Sequence, residues 1–398
     1  MRFIDFFAGI GGFRRGLELS GHECVGFCEF DKFATASYTS MHLLNEEQRK
    51  KLSEIPQRKR QKEILKEEYR NGEWYAKDIR SVNAKDVPRA ECWCFGAPCQ
   101  DFSIAGRRAG LDGDRSSLIR EIFRILEEQE EQNRPEWLIY ENVKGMLSSN
   151  RGLDYLSILS EMDRLGYDIQ WQNMHTEWYL PQHRQRIYTV GHLRGRGKAE
   201  IFPITGTDGE NSVRQIASQY CATRKNPQRM RTYEIDGIAP CLNCMEGGNL
   251  EPHVAMPYLI GGIGEINFGK QFRQGNRVYS SDATAMCLNS QHVGNTGGNS
   301  YLYSIRTKEK IKQGDGIYVE MPGGFLAYCV WYKKYQCYIA IRKLTPKECF
   351  RLQGWTDDYF EKAAFVNTDS QLYKQAGNGV TVNVVEAIGK KIKEYENN

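Results

Sequence analysis

Over residues 2–195, short apolar runs alternate with amphipathic stretches, and this rhythm restricts the possible folds more than any other feature of the chain. Arg2–Phe6, 24–28, Cys92–Phe95, 137–140 and 186–190 read as strands, each too short for a helix and rich in apolar residues. Residues 13–19, 117–126 and 155–165 carry apolar side chains at helical spacing between them. Strand–helix alternation predicts an α/β protein, a Rossmann-like doubly wound sheet whose ligands bind beyond the carboxyl ends of the strands. One charge-dense stretch interrupts the rhythm: residues 46–70 hold nine Lys/Arg and six Glu. It reads as a solvated helical insertion with salt-bridged faces in preference to a nucleic-acid arm.

From about residue 196 the composition changes. Glycine and asparagine become frequent, tyrosine is spread throughout, and helical periodicity disappears, which predicts a smaller, mostly β and loop domain. A faint internal repeat, Asp236-Gly237-Ile238-Ala239-Pro240-Cys241-Leu242-Asn243-Cys244 against Asp282-Ala283-Thr284-Ala285-Met286-Cys287-Leu288-Asn289-Ser290, matching at Asp, Ala, Cys, Leu and Asn, suggests two related hairpins. Helical pattern returns at 345–352 and 382–395. The expected organisation is a domain over 1–195, a second over 196–340, and a segment 341–398 that returns to the first. At 398 residues the chain is long enough for this.

No apolar run approaches membrane-spanning length. The start, Met1 to Phe7, is interrupted by Asp5 and followed by Gly9, Gly11 and Gly12, so it reads as a strand entering a tight turn and not as a signal peptide. Twelve cysteines without framework spacing point to a reducing, cytoplasmic setting. Net charge is +4, and residues 196–334, with 16 Lys/Arg against 12 Asp/Glu, hold the whole excess, as a mildly phosphate-facing surface requires.

The chemistry concentrates at strand ends. Phe7-Ala8-Gly9-Ile10-Gly11-Gly12 lies between a strand and a helix, where glycines let the backbone turn and approach a ligand closely. Twenty residues beyond Gly9, at the next strand end, stands Glu29, then Phe30 and Asp31; an acid there suits ribose hydroxyls. Neither a full G-x-G-x-x-G nor a P-loop lysine is present, so a nucleoside without a pyrophosphate fits better than a dinucleotide. Pro98-Cys99-Gln100 follows an apolar run in a turn enforced by Gly96 and Pro98, which places the Cys99 thiol at a strand end as a candidate nucleophile. Glu141-Asn142-Val143 puts a carboxylate where burial would raise its pKa, poised to protonate or hydrogen-bond a ring nitrogen. In Gln182-His183-Arg184-Gln185-Arg186 an extended backbone would send both arginines to one face, suited to an anionic or carbonyl-rich ligand.

In this order the motifs resemble those of the DNA (cytosine-5-) methyltransferase family. Residues 7–12 resemble its glycine-rich cofactor motif, Pro98-Cys99 its proline–cysteine motif, 141–143 its Glu-Asn-Val motif, and 182–186 its Q-x-R-x-R motif. Residues 342–349 and Gln375-Ala376-Gly377-Asn378-Gly379-Val380 match two further motifs, with Gly379 where serine is more usual. The resemblance spans nearly the whole chain. It implies a class I S-adenosylmethionine-dependent methyltransferase fold, S-adenosylmethionine as cofactor with S-adenosylhomocysteine as product, and no metal.

Phe7, Gly9, Ile10, Gly11 and Gly12 would then hold the cofactor's adenine and methionine ends, Glu29 and Phe30 its ribose side, Asp78 and Ile79 the adenine edge, and Leu118 and Asn378 would close the pocket. Cys99 would add to C6 of a cytosine, Glu141 would stabilise protonation at N3, Arg186 would contact O2, and Arg184 would help position Cys99. Pro98, Gln100, Ser103, Asn142 and Gln182 complete the implied substrate side, and residues 103–115 would form a loop closing over a flipped base. The partner implied is double-stranded DNA, gripped by the second domain; a monomer acting in the cytoplasm, of restriction–modification or phage type, is expected, and a cognate restriction endonuclease is compatible with it. The rival is a zinc deaminase, from His175-Thr176-Glu177 and Pro240-Cys241-Leu242-Asn243-Cys244. The 65-residue separation and the strand-like setting of the second half weigh against it.

Overall fold

The computed structural model describes residues 1–97, 118–180, 182, 184–206 and 345–397, together with the strand segments of 215–343. The chain divides into two compact units. One comprises Met1–Leu180, Arg184–Asp208 and Phe350–Asn398; the other comprises Pro181–His183 and Gly209–Cys349.

The first unit is built on a seven-stranded sheet: β1 (Arg2–Phe6), β2 (Glu23–Cys28), β3 (Trp74–Ala76), β4 (Cys92–Phe95), β5 (Trp137–Val143), β6 (Tyr167–His175) and β7 (Gln185–Leu193), in spatial order β3-β2-β1-β4-β5-β7-β6. The first five strands pair in parallel, and β7 runs antiparallel between β5 and β6. Helices cover both faces, as a buried parallel sheet requires. On one face lie α5 (Leu118–Glu128) and α6 (Leu153–Arg164), which contribute Ile119, Ile122, Ile158 and Met162 to a core with Ile4, Phe6, Trp93 and Leu138. On the other lie α1 (Gly12–Leu19) and the C-terminal α10 (Val382–Glu396), whose Phe13, Leu17, Val385 and Ile388 pack on Phe3, Cys92 and Ile139. Gly16 permits the α1–α10 contact, and Gly12 the approach of Val380 just before α10. A Cβ on Gly12 would stand 2.6 Å from Val380 Cγ2, and one on Gly16 2.6 Å from Val385 Cβ.

The stretch 46–70 folds as α3 (Glu46–Ser53) and α4 (Gln57–Glu63), after α2 (Lys32–Tyr38). It carries ion pairs such as Lys51–Glu68 and Lys66–Glu63. It also buries Leu52, Ile64 and Tyr69 against Ala36 and Val366, so it has a small core of its own and is more than a solvated face. After α7 (Pro346–Leu352), α8 (Asp357–Ala364) and α9 (Asp369–Asn378) precede α10.

In the second unit, β10 (Gly261–Gly262), β11 (Arg277–Ser280), β12 (Leu302–Thr307), β13 (Ile311–Gln313), β14 (Gly316–Glu320), β15 (Leu326–Tyr332) and β16 (Cys337–Lys343) form a sheet in the order β10-β11-β12-β16-β15-β14-β13. β8 (Gln215–Ser218) and β9 (Arg231–Tyr233) pair separately. The two repeat copies at 236–244 and 282–290 lie outside the described residues.

Candidate functional site

Register places the sequence motifs along one margin of the first sheet. Phe6 is level with Cys28 on β2 and with Phe95 on β4, and Phe95 is level with Tyr140 on β5. The residues immediately beyond, Phe7, Glu29, Gly96 and Glu141, therefore share the carboxyl edge at which α/β sheets bind ligands.

Beyond β1 the backbone turns sharply: Phe7 and Gly9 have φ of 56° and 58°, and Gly11 has φ 85° as it leads into α1. At Phe7 a side chain is held in the left-handed region, the kind of local strain found at ligand sites. The turn is braced by the Ala8 N–H donating to Cys28 O (3.0 Å) and the Gly11 N–H donating to Ala8 O (2.8 Å). Beyond β2, Glu29 Oε2 accepts from the Gly9 N–H at 2.8 Å and Oε1 from the Asp31 N–H at 2.7 Å. Burial pushes the Glu29 carboxyl above its ordinary range, against the pull of these two N–H groups. Asp31 caps α2 through the Phe33 N–H and pairs with Lys374 at 2.6 Å, tying α9 to the same corner.

Several features fit an adenosyl cofactor. Among the described residues, and apart from its own chain neighbours, nothing lies within 4 Å of where a Gly9 Cβ would stand. Phe30 is 62% exposed beside the Glu29 carboxylate. The carboxylate anchors the loop while keeping lone pairs for hydroxyl donors. Ile10 and Ile79 are buried, and Ile79 packs in the core behind the edge. The Asp78 carboxylate is engaged by Arg80, through its backbone N–H and guanidinium. Leu118 packs at the start of α5 against the same core, and Asn378 is exposed at the end of α9.

Glu141 stands near the end of β5, 9% exposed, with Oε1 3.2 Å from Arg186 Nε. The sequence suggested a strand over 137–140; antiparallel pairing with β7 carries it to Val143, opposite Arg186. Burial raises the Glu141 carboxyl, opposed by the Arg186 and then the Arg184 guanidinium. A Cβ on Gly96 would come within 3.3 Å of Glu141 Oε2, so the glycine leaves this carboxylate its room. Asn142 faces the opposite way, as strand alternation requires. Its amide donates to Tyr140 Oη at 2.5 Å and its carbonyl accepts from the Val143 N–H at 2.7 Å, a bracing role for the strand end.

The two arginines find different partners. Arg184, 3% exposed, donates to Gly377 O at 3.2 Å and to Gly379 O at 2.8 Å, fastening the end of α9. Arg186 serves Glu141 and the carbonyl of Gln185. Gln182 is buried. His175 pairs through Nδ1 with Glu177 Oε1 at 3.2 Å and stacks on Trp178. Pro98, Cys99, Gln100 and Ser103 lie outside the described residues.

Four positions that sequence reading missed complete the frame. Gln353 donates to Ala376 O at 2.9 Å and accepts from Thr381 Oγ1 at 3.2 Å, while Thr381 and Thr176 hydroxyls lie 2.8 Å apart. His42 lies 3.0 Å from Ile10 O. None belongs to a recognisable pattern; single polar residues in apolar surroundings were the available sign.

A twisted α/β sheet in the order 3-2-1-4-5-7-6, with a glycine turn after β1 and an acid after β2, is the class I fold of S-adenosylmethionine-dependent methyltransferases. A family model described as C-5 cytosine-specific DNA methylase matches residues 1–394, and the chain belongs to that family of DNA (cytosine-5-) methyltransferases. Among its relatives, the type II methyltransferase M.HhaI of Haemophilus parahaemolyticus is 27% identical over 398 residues, covering 98% of this chain and 94% of its own. The orphan methyltransferase M.Rho11sI of Bacillus phage rho11s is 24% identical over 531 residues, with 98% and 97% covered. Among solved structures, the Dnmt2 methyltransferase of S. pombe matches with a TM-score of 0.58 at 16% identity over the whole of both chains, a likeness of fold.

Proposed function

We propose that this enzyme methylates C5 of a cytosine flipped out of a specific double-stranded DNA sequence, through a transient bond between Cys99 and C6. The observation that carries the reading is Glu141: a buried carboxyl with raised proton affinity, held by Arg186, on the same sheet edge as the glycine cradle and beside Gly96, three residues before Cys99 in the chain.

The chemistry dictates the division of labour. C6 of a stacked cytosine is closed to in-line attack, so the base leaves the helix at a cost of about a few kcal/mol. Region 196–340 supplies the sequence-specific grip on the duplex that offsets this cost. Cys99 Sγ, as thiolate, then adds to C6. Glu141 donates a hydrogen bond or proton to N3 and takes up the charge that the addition pushes into the ring, with Arg186 at O2. Bound at residues 7–12, Glu29 and Phe30, with Asp78, Ile79, Leu118 and Asn378 around it, S-adenosylmethionine supplies the electrophilic methyl group that ends on C5. Loss of the C5 proton to a base then expels Cys99 as thiolate and restores the aromatic ring. Arg184 acts on this site through the backbone it fastens at 377–379. Pro98, Gln100, Ser103 and Gln182 frame the substrate side, Asn142 braces the end of the strand that carries Glu141, and residues 103–115 close over the base.

The biological setting that fits is that of a monomeric modification enzyme, of restriction–modification or phage kind, acting on DNA in the cytoplasm beside a cognate endonuclease where one exists. Labelled S-adenosylmethionine incubated with duplex DNA tests the activity, and bisulfite sequencing reads the modified base and its sequence context. Transfer to cytosine C5 at a fixed sequence, lost in Cys99→Ser while DNA binding survives, is the expected result. Full activity in Cys99→Ser would remove the cysteine from the mechanism.

A further inference from the structure

We propose that His42 is a positioning residue for the methyl-donor site, holding the glycine turn in shape through the carbonyl of Ile10. This rests on the reading that the turn holds S-adenosylmethionine. The backbone after α2 leaves α-helical geometry and passes through a π-helical turn at Thr39–Leu43, closed by the Leu44 N–H donating to Thr39 O at 3.2 Å. Such turns are rare and gather at functional sites, because they displace one side chain from the helical register. His42 lies within this turn.

Nε2 of His42 lies 3.0 Å from the Ile10 carbonyl, which only accepts, so the imidazole donates. In the neutral ring Nδ1 is then a bare acceptor, and it is sealed from solvent with no hydrogen-bond partner among the described residues. Burial, with Arg14, Arg15 and Lys362 nearby, disfavours a second proton. The ring is fixed by packing against Tyr38, Trp355 and Tyr359, at centroid distances of 4.9, 6.0 and 5.4 Å. The turn is shaped to receive it: a Cβ on Gly11 would stand 2.5 Å from Nε2. Ring and turn fit together only with glycine at 11 and a flat donor at 42. A turn with three glycines in four residues is otherwise free to leave the binding shape, and donor affinity falls with the fraction of molecules that hold it.

The test is direct binding of S-adenosylmethionine, and separately of S-adenosylhomocysteine, to the full chain without DNA, by calorimetry or equilibrium dialysis. His42→Leu should weaken both about tenfold, the effect of one net hydrogen bond with its lost constraint. His42→Gln, which returns an N–H donor at similar reach, should stay within about threefold of wild type. DNA affinity without donor, and kcat at saturating donor, should change by less than about twofold. If His42→Leu does not fold, His42→Asn against His42→Gln decides: the shorter amide should bind the donor more weakly, and equal affinities overturn the proposal. Wild-type affinity in His42→Leu, or DNA affinity falling in step with donor affinity, also overturns it. Wild-type protein that binds neither ligand sinks the methyltransferase reading together with this one.

Discussion

Replacing Arg184 by methionine measures how firmly the C-terminal segment is fastened to the catalytic sheet. Arg184 is 3% exposed, and its guanidinium donates to the carbonyls of Gly377 and Gly379 at 3.2 and 2.8 Å. Hydrogen bonds from a charged donor contribute about 1.5–3 kcal/mol each. The longer bond counts at the low end, and Gly379 is partly exposed, so its carbonyl can recover a water once the arginine is gone. Methionine refills much of the volume, so the expected net loss is about 3 kcal/mol, roughly a hundredfold in the folding equilibrium. For a domain of this size that lowers Tm by about 6–12 °C, at about 2–4 °C per kcal/mol. Donor affinity should fall as well, because Val380, one residue beyond the fastened carbonyls, packs on Gly12 of the glycine turn proposed to hold the cofactor. Urea unfolding followed by circular dichroism, with the m-value checked for constancy, reads the stability change. Arg184→Lys should recover less than half of it, since one ammonium cannot reproduce a planar fork reaching two carbonyls. A loss below about 1 kcal/mol, or a lysine variant equal to wild type, would refute this account of the anchor.

Two further perturbations separate space from strain and fix a pH dependence. Gly12→Ala meets Val380 Cγ2 at 2.6 Å and should cost about 1–3 kcal/mol of stability by overpacking. Gly9→Ala meets nothing within 4 Å among the described residues beyond its chain neighbours, so it should cost only the strain of φ 58°, about 1–2 kcal/mol, while its methyl intrudes on the proposed donor site and weakens donor binding more than Gly12→Ala does; the reverse order in a binding assay would contradict the cradle. Asp5 is fully buried, one carboxyl oxygen accepting the Arg14 N–H at 3.3 Å, and burial holds its pKa well above the ordinary value. A raised folded-state pKa favours the folded state below the unfolded pKa and loses that benefit as pH rises through the folded one. Asp5→Asn should therefore gain stability relative to wild type as pH climbs from about 4 towards neutrality, and a flat or inverted difference in denaturant titrations would count against it.

Much of the first unit was legible because its strands are buried on both faces and read as largely apolar runs, unbroken at Cys92–Phe95 and interrupted only by Asp5 within 3–6. β6 was not. It is an edge strand, and Gln170 and Gln172 use their amides to bond the backbone of Ala199, Ile201 and Ile204, which erases apolar alternation. β3 is three residues long, too short for any periodic signal. The antiparallel course of β7 between β5 and β6 depends on which strands pair, and composition carries no trace of it. Within the site, Glu29 and Glu141 were readable because acids at strand ends are unusual for a sheet interior. The anchoring role of Arg184 was not, since its acceptors are backbone carbonyls almost two hundred residues away. His42 stayed hidden for the same reason: its partner is a main-chain oxygen, which no side-chain pattern reports.

The central claim is a transient bond between Cys99 and C6 of the target base, and a substrate that cannot lose its C5 substituent tests it most directly. Duplex DNA carrying 5-fluorocytosine at the target position, incubated with enzyme and S-adenosylmethionine, should yield a complex that survives denaturing electrophoresis. Peptide mass spectrometry should place the modified nucleotide on Cys99, and Cys99→Ser should form none. DNA that is bound and methylated at ordinary cytosine, yet never trapped when fluorinated, would contradict the covalent mechanism.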